Sequence, residues 1–184
     1  MTDDSIHPTL MQLSDEEFNV RLIKIQAAQD WKYSDYPKPI DSSCKWTDSE
    51  VKEKIVDATS KCFGMEWADS YYRLIELEKG GGNWILPYHG RLALASFNRP
   101  LSKSLIEGAL VRAQLCMESA PSEVSAYCAM AVGMFETECP YSALLWLRLA
   151  KACHGIPSQL QLHVIDFLDR WTARSTKRIS QHFP

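Results

Sequence analysis

Apolar residues along this chain recur mostly at intervals of three and four, the spacing that places them on one face of a helix. Ser14-Asp15-Glu16-Glu17 opens the first such stretch as a capping box, and Phe18, Leu22, Ile25 and Ala28 continue it as a single stripe. Trp31 to Trp46 breaks the rhythm and carries Pro37-Lys38-Pro39, which predicts an extended connector. A second capping box, Thr47-Asp48-Ser49-Glu50, starts a helix with Val51, Ile55, Ala58 and Cys62 on one face and Gly64 as its C-terminal cap. Met65 to Lys79 reads as a third helix, ended by Gly80-Gly81-Gly82, and Tyr88 to Asn98 as a shorter fourth, closed by Arg99-Pro100.

The second half is the most regular. Helices are predicted over Ser102–Glu118, Ser122–Thr137, Tyr141–His154 and Ser158–Ala173, separated by Ala120-Pro121, Cys139-Pro140 and Gly155-Ile156-Pro157. In the last of them Leu160, Val164, Ile165, Leu168 and Trp171 are expected inward, with Gln161, Asp166, Asp169 and Arg170 outward. No stretch alternates at period two as a half-buried strand would. The expected class is therefore all-α, a single helical domain over 1–184. Its parts are an N-terminal helix and connector (1–46), a helical middle (47–100) and antiparallel hairpins with a terminal capping helix (101–184).

Ser104–Pro121 and Glu138–Gly155 also superimpose at a spacing of 34 residues: Ala109 falls on Ala143, Leu110 on Leu144, Ala113 on Leu147, Leu115 on Leu149 and Cys116 on Ala150. Such a period marks stacked helical hairpins, each burying its apolar face against a neighbour. With Ala143 as the small residue of a second helix, Tyr127, Met130-Ala131, Met134, Leu147 and Ala150 fall into the remaining places of a tetratricopeptide repeat, which Ser122–Pro157 resembles. One repeat earlier Ala109, Cys116 and Pro121 fit, while Phe97 stands where a small residue belongs and Pro100 shortens the first helix. The resemblance implies a groove faced by the first helix of each hairpin: Ser125, Cys128, Val132 and Phe135 in the better repeat, Arg91, Leu94 and Asn98 in the other.

Composition narrows the functional classes. At 184 residues, 46% hydrophobic and 23% charged, the chain is an ordinary globular one, and its net charge of −3 argues against a nucleic-acid partner. Charge is uneven: residues 1–60 carry twelve acidic against seven basic side chains, and the tail from Gln161 carries two against four. No apolar run approaches a membrane span, and Met1-Thr2-Asp3-Asp4 opens no secretory signal. Six cysteines without a C-x-x-C pair point to free thiols in a reducing, cytoplasmic setting.

Candidate chemistry is thin. Gly80-Gly81-Gly82 lacks the Lys-Ser/Thr of a phosphate loop, and a helix-ending linker explains it better. His89 and Arg91 beside it offer a base and an anion clamp. Cys153 and His154 are neighbours that point apart on a helix, and His163 with Asp166 makes two metal ligands where a site needs more. Ser49-Glu50-Val51-Lys52 is absorbed by the capping box. Trp31, Trp46 and Trp84 lie in connectors, where aromatic rings serve partner contact. The sequence thus predicts a non-enzymatic protein-binding module (chaperone, immunity-type inhibitor or adaptor) with a protein partner, no cofactor and no metal. A small enzyme or secreted effector centred on His89 and Arg91 is the rival, and a homo-oligomer stays open.

Overall fold

The computed structural model describes residues 13–28, 47, 49–50, 53, 75, 79, 89–97, 100–154, 156 and 160–182. Six helices are delimited within them: α1 (Asp15–Ala27), α2 (His89–Ser96), α3 (Lys103–Ser119), α4 (Val124–Glu136), α5 (Pro140–Ala152) and α6 (Gln161–His182). The described residues hold no strand, so the fold is all-α. The connector at 31–46, most of the second and third predicted helices, Gly80–Gly82, Asn98 and the tryptophans Trp31, Trp46 and Trp84 lie outside the described residues.

Local chemistry sets the boundaries. Ser14 Oγ accepts from the Glu17 amide at 3.1 Å to open α1, and Ser102 Oγ accepts from the Leu105 amide at 3.2 Å to open α3. At the second capping box both arms are made. The Thr47 amide donates to Glu50 Oε2 at 2.8 Å, and the Glu50 amide donates to Thr47 Oγ1 at 3.3 Å. Between α4 and α5 the Glu138 amide donates to the Phe135 carbonyl and the Cys139 amide to the Met134 carbonyl, at 3.1 and 2.8 Å. These two bonds form a Schellman turn, with Glu138 at φ 63° where glycine is the usual occupant. Pro140 then occupies the first turn of α5, where its missing N–H costs nothing.

Each helix from α2 onward packs on the next, and α4 also touches both α2 and α6. Helix α1 lies against α5, sealing Ile25 in the core with Phe18 and Leu22 beside it. Arg21 of α1 stands over the Trp146 ring at 5.1 Å and reaches Met117 Sδ of α3 at 3.8 Å. Helix α4 is therefore central, and every residue from Val124 to Phe135 is buried.

Small residues mark the crossings. Ala131, Ala143 and Ala150 are all buried, and α4 also presents Gly133 to α3. A Cβ on Gly133 would come within 2.7 Å of Leu110 Cδ2. Gly90 lets α2 approach α4 as closely, since a Cβ there would meet the Ala126 amide nitrogen and Ser125 Oγ, each at 2.7 Å. The equivalence at 34 residues holds for the burial of Ala109 and Ala143, Ala113 and Leu147, and Cys116 and Ala150. It fails at Leu115, which is 43% exposed where Leu149 is sealed. Helix α5 has α1 as an additional neighbour, so the two helices meet different surroundings.

Helix α6 departs from expectation twice. It runs to His182, past the predicted end at Ala173, with Ser175 still fully buried two residues beyond that point. Ile165, expected inward, is 55% exposed, and Phe167 is sealed in the core in its place. A residue follows its predecessor by about 100° around a helix, which swings Ile165 away from the stripe of Val164, Leu168 and Trp171.

Candidate functional site

Five of the expected groove residues are inside the molecule. Ser125, Cys128 and Val132 of α4 and Arg91 and Leu94 of α2 are buried, each exposed by no more than 1%. The reason is the number of neighbours: with α2, α3, α5 and α6 all packed against it, α4 has no face left to present. These positions line no open groove in this structure, which corrects the expectation that they face a partner. Phe135, at the last full turn of α4, lies at the edge of the core against Trp171 and two arginines of α6.

Arg91 and its surroundings form a polar knot within apolar packing. Its Nε lies 3.8 Å from Glu123 Oε1, and both side chains are only 2% exposed. Glu123 caps α4, accepting from the Ser125 hydroxyl at 2.6 Å and the Ser125 amide at 3.3 Å. Burial pushes the Glu123 carboxyl above the usual range, against the opposing pull of Arg91 and the Ser125 bonds. Burial likewise lowers the Arg91 guanidinium, with Glu123 working against the shift. Desolvation is thus the larger effect on both partners. Nearby Cys116 has its thiol pushed up, first by burial and then by the Glu123 charge. Such a knot, closed to solvent, ties α2 to the start of α4; it does not offer Arg91 to a substrate. His89, at the first position of α2, is half-buried.

Other candidate groups are apart or in structural use. Cys153 is buried and donates from Sγ to the Leu149 carbonyl at 3.5 Å, whereas His154 is exposed. Burial raises the Cys153 thiol as well, the wrong direction for a nucleophile. Among the described residues no group of three or more His, Cys, Asp or Glu could hold a metal ion. No described helix is long and apolar enough to cross a membrane.

Two features of α6 lie at the surface, and of these only the basic one carried a signal in the sequence, the excess of Lys and Arg in the tail from Gln161. On one side α5 and α6 enclose a groove of about 610 Å³, with Ala150, Cys153, Ile156, Val164, Ile165 and Leu168 among its walls. Lys151 and Asp169 stand among its lining residues, and Leu162, 80% exposed, precedes Ile165 by one helical turn. On the other side Arg174 and Arg178 cover Phe135 and Trp171. A second groove of about 450 Å³ lies between the end of α2 and the start of α3, and two of its three serine hydroxyls are in structural use: Ser96 donates to the Ala93 carbonyl and Ser102 caps α3.

Fold and surface together define a helical bundle with a largely apolar groove beside its last helix. No protein-family model, curated protein or solved structure matches the chain.

Proposed function

We propose that this chain is a non-enzymatic protein-binding module whose α5–α6 groove takes an apolar helical segment of a partner protein. The observation that carries the reading is the exposure of Ile165 and Leu162 beside that groove, 55% and 80%. A helical stack ends stably when its last helix turns a polar face outward. Helix α6 instead leaves two large apolar side chains in water at its N-terminal half. One further amphipathic helix laid against α5 and α6 would cover them as the next member of the stack. The neighbour pattern supports this: each helix from α2 onward packs on its successor and α4 touches both α2 and α6, as expected for stacked helical hairpins. A reducing, cytoplasmic setting suits the buried thiols Cys116, Cys128 and Cys153. Chaperone, immunity-type inhibitor and adaptor are three forms such a function takes.

The test is capture from native lysate with a photo-crosslinking residue placed at Ile165, compared with the Leu162→Asp and Ile165→Asp variants. Both variants change exposed positions, so far-UV circular dichroism should be unaltered. A protein that crosslinks at 165 and is lost from both variants is the expected result. Recovery of the bait alone, or of the same proteins with all three, refutes the reading. A crosslinked second copy of this chain would replace it with self-association.

A further inference from the structure

We propose that Arg174 and Arg178, stacked on Phe135 and Trp171, form a clamp for the carboxylates of an acidic peptide segment in a protein partner. The Arg174 Cζ lies 4.2 Å from the Trp171 ring centroid and 5.0 Å from that of Phe135. The Arg178 Cζ lies 5.0 Å from the same Phe135 ring. That ring meets Trp171 edge-on, with centroids 5.3 Å apart and planes at 83°. Two guanidinium groups one helical turn apart thus share the Phe135 ring, and Arg174 also lies over Trp171, which reduces the rotamer freedom they would lose on binding.

Among the described residues no carboxylate pairs with them. Arg170, one turn earlier, is offset by Asp166 at 3.3 Å, whereas neither Arg174 nor Arg178 makes an ion pair among the described residues. Glu136 and Glu138, the carboxylates nearest Phe135 in sequence, make none with them either. The C-terminal turn of α4 beside Phe135 supplies a partial charge of roughly −0.5, which cannot neutralise two cations. A planar, charged fork matches a carboxylate with two parallel hydrogen bonds, and two forks at a helical-turn spacing match neighbouring acidic side chains.

This inference rests on the protein-binding reading but not on the α5–α6 groove. Arg174 follows Ile165 by nine residues, which places the two on opposite sides of α6. A single partner that reached both would wrap the helix.

The experiment is fluorescence anisotropy of the full chain with a fluorescein-labelled deca-glutamate peptide, over a series of salt concentrations. The wild type should bind, more weakly as salt rises. Arg174→Gln with Arg178→Gln should weaken binding by about tenfold or more, and Arg174→Lys, which keeps the charge and loses the fork, by several-fold. Lys24→Gln with Lys177→Gln removes the same net charge from exposed positions and should change binding by less than about twofold. Ile165→Asp should leave it intact, so failure of the groove and failure of the clamp are distinguishable. Absence of wild-type binding, or an equal loss in the lysine pair, overturns the proposal. So does inorganic tripolyphosphate binding through Arg174 and Arg178 while the peptide does not.

Discussion

Replacing Arg91 by methionine keeps most of the side-chain stem and removes the charge that faces Glu123 across 3.8 Å. At the effective dielectric constant of about 20 that suits protein interiors, two unit charges at that separation attract by about 4 kcal/mol. Removing one partner leaves the other buried and uncompensated, a loss of about 3–5 kcal/mol in comparable pairs. Near pH 8 the Arg91→Met variant should therefore unfold at lower urea concentration, with a melting temperature lower by on the order of 10 °C for a chain of this length. The pH dependence has a definite sign. Burial already raises the Glu123 carboxyl, and Arg91 is the main group holding it down. Without Arg91 the folded-state pKa rises further. Its stabilising contribution is full below the unfolded carboxylate value and is lost as pH rises through the folded one. Lowering the pH to about 5 should thus recover part of the loss, because a proton then neutralises the orphaned charge. Adding Glu123→Gln to Arg91→Met supplies that neutrality at every pH, and the double variant should match or exceed the wild type. Urea unfolding followed by circular dichroism at both pH values measures all three. A double variant as unstable as the single, or a single variant equally impaired at both pH values, would refute this account of the knot.

Two further perturbations test the packing. Gly90→Ala should destabilise by about 1–3 kcal/mol despite the better helix propensity of alanine, because the new Cβ meets backbone atoms of α4 that cannot yield, whereas Gly108→Ala, with nothing within 4 Å, should stabilise by up to about 1 kcal/mol; urea midpoints that moved alike would contradict the close α2–α4 approach. Glu138→Gly should raise stability by about 1 kcal/mol by relieving the left-handed backbone at φ 63°, and thermal unfolding checks it, an unchanged or lower midpoint counting against the turn described here.

The class of fold and the framework of helices were legible in the amino-acid order. The capping serines Ser14 and Ser102, the Thr47–Glu50 box and the prolines at 121 and 140 act within a few residues of themselves, so local chemistry was enough to place α1, α3 and α5. Burial of Ala131, Ala143 and Ala150 was also readable, because small residues at helical spacing serve close crossings in any arrangement of neighbours. Accessibility was not. Whether Cys128 or Val132 meets a partner or the core depends on how many helices surround α4, and that number arises from contacts between residues far apart in the chain. The same holds for the pairing of Arg91 with Glu123 and for the gathering of Phe135, Trp171, Arg174 and Arg178. Periodicity gives each helix an apolar side; only tertiary packing decides which sides are covered, and on α6 it left Leu162 and Ile165 largely exposed.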